Sequence, residues 1–375
     1  RRFLGPWAGY ITGWMFAFEM LIVCLADLTA IAIYMRFWFP DTAQWIWVAL
    51  TLLIVGAANL ASVRWFGELE FAFTIVKVAA VVAMIVGGAA ILAFGLGDPS
   101  TPTGLANLTA DGGFFPHGPG GMISAFVLVL FAFGGTEIIG VAGTEAEDPA
   151  RAIPKAVNTV PVRILLFYVL AIGVILLLTP WQQITGEESP FVQIFDTLGV
   201  NWAAALLNVV VITAALSAIN ADLFGAGRVV AGMARQRLAP AALSRTMRGV
   251  PVLTTLAMLG VLVVGVLLNW ALPDEVFTIV ASLATFATVF VWLMILLAQV
   301  ASRRGMSREE RAALAFPVPL WPYGQAFAIA FILFTFGIMV WISEYHLALL
   351  TGVGFVALMS VLYVVTGRRR RRSQG

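Results

Sequence analysis

The feature that most constrains the fold of this chain is a series of ten apolar segments, separated by shorter polar ones. A helix that crosses the hydrocarbon core of a bilayer needs about 20 predominantly apolar residues. Lipid offers no hydrogen-bonding partner to an open sheet edge, so segments of this kind are helical. The first is long enough to be strongly tilted or to project beyond the bilayer. The sequence thus predicts an all-α polytopic membrane protein whose spans lie at 7–38, 44–61, 71–96, 121–142, 160–180, 202–226, 250–271, 275–299, 324–343 and 347–366.

Composition excludes several other classes of protein. Of the 375 residues, 61% are hydrophobic and 11% are charged, whereas soluble domains average about 25% charged residues. The single cysteine, Cys24, excludes a disulfide within the chain, and the two histidines, His117 and His346, are far apart. Without a Cys/His cluster, a phosphate-binding loop or a nucleophile motif, we expect no metal site, no cofactor and no enzymatic activity. Without a basic groove interleaved with aromatic residues, we expect no nucleic-acid partner.

Basic residues collect in alternate loops, which predicts the orientation of the chain. Loops rich in Lys and Arg lie in the cytoplasm, and all but two of the 22 basic residues fall on one side of the predicted bundle. Ten spans place both chain ends on that side, which agrees with the count. The run RRRRR at 368–372 is interpreted as a signal that holds the last helix, the alternative being a patch for anionic lipid or nucleic acid. The opposite loops carry Asp41, Asp98, Asp111, Glu187, Glu188, Asp196, Asp274, Glu275 and Glu344.

The segment FAFGGTEIIG at 131–140 interrupts the fourth apolar stretch. Adjacent glycines weaken a helix by about 1 kcal/mol each relative to alanine, and Glu137 needs a reason to lie in a membrane. An opened helix exposes N–H and C=O groups that can hold a small zwitterion. The alternative is a close helix–helix contact through Gly134 and Gly135. With Thr136 and Glu137 beside them, we predict a broken, site-forming helix at 131–137.

Few other ionisable residues lie within the predicted spans. Each costs roughly 2.5–3.5 kcal/mol at the centre of a helix, so function is the first hypothesis. We expect Glu19 to line the cavity or pair within the bundle, while Asp27 is a weaker candidate and Asp222 is placed near a cytoplasmic end. Lys77, about seven residues inside its span, is either a snorkelling side chain or a buried amine whose charge changes during transport.

Polar uncharged residues in the later spans can be interpreted in two ways. Asn220, Ser282 and Thr285 are as often helix–helix hydrogen-bonding residues as ligands. Asp148, directly before Pro149, is typical of a turn, and 144–157 is taken as a cytoplasmic loop.

These segments together resemble amino acid permeases of the amino acid–polyamine–organocation superfamily. FAFGGTEIIG with AGTEAEDPARAIPKAV is similar to the helix-6 and following-loop signature. FGELEFAFTIVKV, TAALSAINADLFGAGRVVAGMA and EVFTIVASLATFATVFVWLMILLAQ are similar to further blocks in the same order. The likeness covers essentially the whole chain. Within the superfamily, the chain resembles the bacterial amino acid transporter branch. The last block is closest to permeases described as proline-specific.

The resemblance implies a LeuT-like bundle of two inverted five-helix repeats plus two further helices. It implies that the ten spans are helices 3–12 of twelve, in one N-terminally truncated permease domain at 1–375, and the start RRFLGPW has no initiator Met. It implies that the helix-6 segment and an acid on helix 3 bind the substrate. It also implies that a lysine on helix 5 and the acid on helix 6 couple transport to protons. The substrate-binding candidates are Phe131, Phe133, Gly134, Gly135, Thr136, Glu137, Glu19 and Ser282; the proton-coupling candidates are Lys77 and Glu137.

The sequence as a whole predicts a secondary active transporter of the bacterial cytoplasmic membrane. Proton-coupled symport of amino acids by alternating access is the preferred hypothesis, with proline or small neutral amino acids as substrates. An exchanger or a sodium-coupled carrier remains the alternative. An ion channel would need a filter or rings of pore residues, and the sequence has neither. The expected partners are the amino acid, a proton and the lipid bilayer.

Overall fold

The computed structural model describes most of the chain. Its helices alternate with short connections, and the described residues contain no β-strand beyond one isolated bridge between Met247 and Val250. The described residues are 1–61, 63–95, 103–110, 112–143, 148–184, 189–197, 201–247, 250–314, 316–318 and 320–372.

Fourteen α-helices are numbered in chain order within this described part. A π-helical turn, Leu165–Leu170, joins α6 to α7 into one continuous rod. The helices are α1 Gly5–Met35, α2 Gln44–Ala61, α3 Val63–Phe94, α4 Gly118–Ala132, α5 Ile138–Gly143, α6 Pro149–Ile164, α7 Ala171–Leu178, α8 Pro190–Thr197, α9 Asn201–Arg235, α10 Val252–Ala271, α11 Val276–Arg304, α12 Arg308–Ala312, α13 Tyr323–Trp341 and α14 His346–Arg372.

The helices reproduce the ten predicted spans in position. Among the described residues, eight helices are long and apolar enough to cross a membrane, and α2 and α4 are shorter apolar helices at two further predicted positions. The prediction of an all-α polytopic membrane protein is confirmed. Helix α1 has 31 residues, or about 46 Å at 1.5 Å per residue, which exceeds a hydrocarbon core of about 30 Å.

Helix α1 lies at the centre of the bundle, packed mainly against α9 and α11. Its neighbours show its direction. The Arg1 guanidinium lies 3.4 Å from the Gln236 side-chain oxygen at the end of α9, while the Asn208 amide near the start of α9 donates to the Tyr34 carbonyl at 2.8 Å. Helices α1 and α9 are therefore antiparallel, and both run through the core.

Three predicted boundaries are wrong, each because a helix continues past a charged residue. Residues 149–164 form α6 rather than a loop, with the Asp148 carboxylate accepting from the Arg151 N–H as an N-cap. Helix α3 begins at Val63, so Lys77 is 14 residues from its start rather than about seven. Helix α9 continues to Arg235, so Asp222 lies in its interior and not near a cytoplasmic end. Residues 144–147 of the predicted loop lie outside the described residues.

Candidate functional site

The fourth span is interrupted in its middle. Helix α4 ends at Ala132 and α5 begins at Ile138, with turns between them. The N–H groups of Phe133 and Gly134 bond three residues back, to Leu130 and Phe131, instead of four. Gly135 has φ +91°, a value that L side chains rarely adopt. The predicted break in the helix is confirmed, but it spans 133–137 rather than 131–137 because α4 continues to Ala132. The break leaves backbone groups without helical partners.

The end of α4 is fixed by a contact from the π-helical turn. The Tyr168 hydroxyl donates to the Ala132 carbonyl oxygen at 2.6 Å, and the Tyr168 ring stacks on Phe133 with centroids 4.9 Å apart. Phe131 packs against the main hydrophobic core. A π-turn often marks a functional position, and here it presents the tyrosine that terminates the helix.

Glu137 is held at the break by two hydrogen bonds. The Gly135 N–H donates to Glu137 Oε1 at 3.0 Å. The indole Nε1–H of Trp292, on α11, donates to Oε2 at 2.9 Å. Hydrogen bonds to a carboxylate are shorter and stronger than neutral ones, so these two bonds fix the orientation of the carboxylate.

A cavity of about 490 Å³ opens beside the break. Glu137 and Thr136 supply polar groups to its wall, which is otherwise largely apolar. A mostly apolar pocket with few convergent polar groups is the usual form of a small-molecule site. The remaining lining residues are Leu130, Trp292, Ile295, Leu296, Phe327, Ala328, Phe331 and Ile332.

Glu19 faces the break from α1. It is 0% exposed, and it interacts electrostatically with Glu137 and lies beside Thr288 of α11. Neither Glu19 oxygen, nor the buried Thr288 hydroxyl, has a hydrogen-bonding partner among the described residues. A methyl group on Gly134 would come within 3.4 Å of the Thr288 hydroxyl. Buried polar groups are normally satisfied, so these unpartnered atoms make this position part of the candidate site.

Two further acids, Asp27 and Asp222, lie within the helices α1 and α9. Asp222 of α9 is 5% exposed and interacts electrostatically with Asp27 and Glu137. One buried oxygen each of Asp27 and Asp222 has no partner among the described residues.

Lys77 reaches a different face of α9. Its Nζ donates to the Ser217 hydroxyl at 3.0 Å, and Ser217 is almost fully buried. The ammonium thus points across the bundle, not along α3 toward the rim that a snorkelling side chain would seek. Ser217 and Asp222 are five positions apart, which is about 140° around the helix.

The uncharged polar candidates divide between helix contacts and local bonds. The Asn59 amide donates to the Asn220 side-chain oxygen at 2.8 Å, and the Thr285 hydroxyl donates to the Val127 carbonyl at 3.0 Å. Both are helix–helix hydrogen bonds, which is one of the two interpretations that the sequence allowed for Asn220 and Thr285. Ser282 is buried and donates to the Thr278 carbonyl of its own helix.

The structure brings together the helix-6 segment and Glu19, and leaves Lys77 and Ser282 apart from that contact. Sequence reasoning missed Thr288 and Trp292. With Thr285, they follow one another at spacings of three and four on α11, which places all three on one face. That pattern was visible in TFATVFVW, but only the break opposite gives it a meaning.

A second cavity, of about 420 Å³, lies at the end of the bundle where α1 starts and α9 ends. Arg1, Gly13, Met233 and Gln236 contribute to its wall. Ile295 of α11 lines both cavities. The space beside the break and the space at the basic end are therefore adjacent along α11.

Comparison with known proteins gives one family and close relatives. The family model described as "Amino acid permease" matches residues 1–367. The uncharacterized amino acid permease YtnA of Bacillus subtilis is 41% identical over 97% of this chain and 79% of its own length. The amino-acid permease AapA of the same organism is 40% identical over 98% of this chain and 80% of its own. The aromatic amino acid transport protein AroP of Escherichia coli K12 is 40% identical over 88% of this chain and 72% of its own.

Proposed function

The chain belongs to the amino acid permease family, is a multi-pass membrane protein and transports amino acids, and from that premise we propose that it is a proton-coupled symporter working by alternating access in the bacterial cytoplasmic membrane. The observation that carries the proposal is the helix break at 133–137, with the Glu137 carboxylate fixed beside a cavity of about 490 Å³. No covalent chemistry is needed. A membrane potential adds about 2.3 kcal/mol for each positive charge that enters per 100 mV.

The substrate is held by its zwitterionic end at the break. Backbone groups freed between α4 and α5 bind the carboxylate and ammonium of an amino acid. Glu137 and Glu19 provide negative charge for the ammonium, and Thr136 lies at the wall of the same cavity. Phe131, Phe133, Gly134 and Gly135 shape the backbone there. Ser282, six residues before Thr288 on α11, is proposed as a further substrate-binding residue.

Proton coupling involves Lys77 and Glu137. The half-buried Lys77 donates to the Ser217 hydroxyl and so joins α3 to α9. Its gain or loss of a proton would change the interaction between α3 and α9 as the carrier changes its open side. An exchanger or a sodium-coupled carrier is the rival within the same family.

The basic end of the bundle is proposed as the cytoplasmic side. The start of α1 and the last turns of α14 meet there, because the rings of Tyr10 and Tyr363 lie 5.3 Å apart. Arg1 and Arg235 lie at the same end. The cavity of about 420 Å³ at that end then provides the path by which substrate leaves past Ile295.

The substrate is proposed to be a neutral amino acid. Apart from Glu137, the cavity wall carries no charged side chain among its lining residues, so a charged substrate side chain would have no counterion. Proline and small neutral amino acids are the first substrates to test. AroP is an aromatic amino acid transport protein, and a further relative, YbxG of Bacillus subtilis, 37% identical over 99% of this chain, is a probable threonine/serine transporter, so aromatic amino acids, threonine and serine are tested as well.

Uptake into proteoliposomes tests the proposal. Labelled amino acid is supplied with an imposed pH gradient, with a sodium gradient, or with neither but with internal counter-substrate. We expect accumulation that follows the pH gradient and is abolished by a protonophore. A panel of unlabelled neutral, aromatic, acidic and basic amino acids identifies the substrate by competition. Flux that requires sodium, or that occurs only in exchange, would overturn the coupling and leave amino acid transport standing.

A further inference from the structure

The rod formed by α6, the π-helical turn and α7 contacts the broken span at the point where α4 ends. The Tyr168 hydroxyl donates to the Ala132 carbonyl oxygen at 2.6 Å. The Tyr168 ring stacks on Phe133, with the ring centroids 4.9 Å apart and an interplanar angle of 24°. One side chain therefore contacts the last residue of α4 and the first residue of the break, and the proposed function gives that side chain no role.

The hydrogen bond satisfies a backbone group that the end of α4 sets free. The last carbonyls of an α-helix have no partner in a following turn. The Phe131 carbonyl finds one nearby, because it accepts from the Gly134 N–H at 2.9 Å. The Ala132 carbonyl instead accepts from a side chain 36 residues further along the chain. The hydrocarbon core of a bilayer has no water to replace that donor, so the bond from Tyr168 helps to fix where α4 ends.

The π-helical turn separates this contact from the packing of the rod on α3. Residues three and four apart share one face of a regular α-helix, but the i→i+5 bonds of a π-helical turn interrupt that register. Beyond the turn, Ala171 and Val174 pack in one hydrophobic cluster with Met84 of α3. Within the turn, Tyr168 contacts α4. The rod is thus attached to an unbroken helix by α7 and to the broken span by its irregular turn.

Both ends of the break are held by side chains of other elements. At the first end, Tyr168 bonds to Ala132. At the second end, the Trp292 indole of α11 bonds to the Glu137 carboxylate. Groups that are fixed before a ligand arrives lose less freedom when it binds, so the geometry of 133–137 depends on these two contacts.

We propose that Tyr168 is a positioning residue for substrate binding, because its hydroxyl holds the end of α4 and so sets the geometry of the backbone groups at 133–137. This inference rests on the proposed function, since it takes the helix break as the place where the two charged ends of the amino acid bind. Tyr168 is absent from the described residues that line the cavity of about 490 Å³. It therefore acts through the backbone of the break and does not touch the substrate.

Tyr168→Phe removes the hydroxyl and keeps the ring that stacks on Phe133. The loss of one neutral hydrogen bond corresponds to about a two- to tenfold change in an equilibrium constant. We therefore expect KM for uptake, and Kd for binding in detergent, to rise by about that factor, while the maximal rate per inserted carrier is unchanged. A merely structural role would lower the amount of active carrier and leave KM as it is.

Tyr345→Phe is the matched control. The Tyr345 hydroxyl also donates to a carbonyl of α4, that of Ser124, at 3.1 Å. Ser124 lies eight residues before Ala132, or about 12 Å along the helix. Tyr345→Phe thus removes the same kind of bond to the same helix at a distance from the break, and we expect its KM to equal that of the wild type.

Hydrogen exchange in detergent, without substrate, measures the positioning directly. Amide exchange reports how often a segment opens locally. In Tyr168→Phe, the amides of 133–137 should exchange faster than in the wild type, while those of α9 and α11 keep their rates. In Tyr345→Phe, the rates at 133–137 should not change.

Four results would overturn the inference. A wild-type KM in Tyr168→Phe would show that the hydroxyl does not matter for binding. A raised KM with unchanged exchange at 133–137 would make Tyr168 a substrate-contacting residue. Faster exchange throughout the bundle, or an equal rise of KM in Tyr345→Phe, would give Tyr168 a general structural role. If the wild type transports no amino acid, the proposed function itself fails, and that failure is visible before any variant is made.

Discussion

The Glu137 carboxylate shows how single side chains prepare this site. Its two oxygens accept from the Gly135 N–H and from the Trp292 indole, one donor from its own turn and one from α11. Groups fixed in this way lose little freedom when a ligand binds. The orientation of the Glu137 carboxylate therefore depends on Trp292, a residue more than 150 positions away in sequence.

Trp292→Phe removes that donor and keeps an aromatic ring. A hydrogen bond to a charged group contributes about 1.5–3 kcal/mol, so we expect KM for the amino acid to rise by about tenfold, with the protein still folded. Trp270→Phe, the same change at an exposed position near the end of α10, is the control. Initial uptake rates over a range of substrate concentrations measure the effect, and an unchanged KM would show that Glu137 is held adequately by Gly135 alone.

Lys77→Ala removes the amine that bonds to Ser217. Alanine is uncharged like a deprotonated lysine, so the carrier should still exchange substrate across the membrane. We expect accumulation driven by a pH gradient to be lost while counterflow exchange persists in part. Lys155→Ala, at an exposed position of α6, is the matched control. Lys77→Ala carriers that concentrate substrate like wild type would return Lys77 to an anchoring role.

At the scale of elements, the candidate site depends on the interruption between α4 and α5, which leaves backbone groups without helical partners beside the cavity. Helix α4 ends shortly before Gly135, which has a positive φ. The Tyr168 hydroxyl donates to the carbonyl oxygen of Ala132, the last residue of α4. The element that supplies Tyr168 is itself irregular, since a π-turn replaces one turn of α-helix. Two irregular turns on neighbouring helices thus meet at the helix break.

Gly135→Ala should strain the break. A β-carbon in the left-handed region costs roughly 1–2 kcal/mol, although the space beside Gly135 is open. We expect a lower thermal midpoint in detergent and weaker substrate binding. Gly140→Ala, in α5 with open space around it and no positive φ, should be neutral or slightly stabilising. Equal midpoints for the two variants would mean that the turn relaxes without strain.

At the scale of the whole molecule, the two charged faces give the bundle its direction. The start of α1, the end of α9 and the end of α14 share one face. The distribution of Lys and Arg supports the proposal that this face is cytoplasmic, because loops rich in Lys and Arg are retained on that side of the membrane.

Cysteine labelling measures that orientation. Cys24 is the single cysteine and is fully buried, so the native protein should not react with a membrane-impermeant maleimide. In intact cells we expect Asp41→Cys to be labelled and Glu309→Cys to be labelled only after the membrane is opened. Both positions are exposed in the structure. The reverse pattern would contradict the proposed orientation.

The sequence by itself determined the class of protein, the ten spans and the break at 131–137. These follow from local properties: apolar length sets where a helix can cross lipid, and adjacent glycines beside an acid destabilise a helix wherever they occur. The sequence placed the end of α9 too early because a charged residue, Arg228, was taken as the end of a span. It therefore put Asp222 near the membrane surface.

Only the tertiary structure decided which distant residues meet. Trp292 and Thr288 were two polar positions among many on α11 until the break of α4 was seen opposite them. Lys77 could have turned to the rim or to the interior, and Ser217 of α9 decides that it turns inward. Such pairings depend on the azimuth and depth at which helices pack. The local sequence does not encode these quantities, because they are set by the side chains of all neighbouring helices at once.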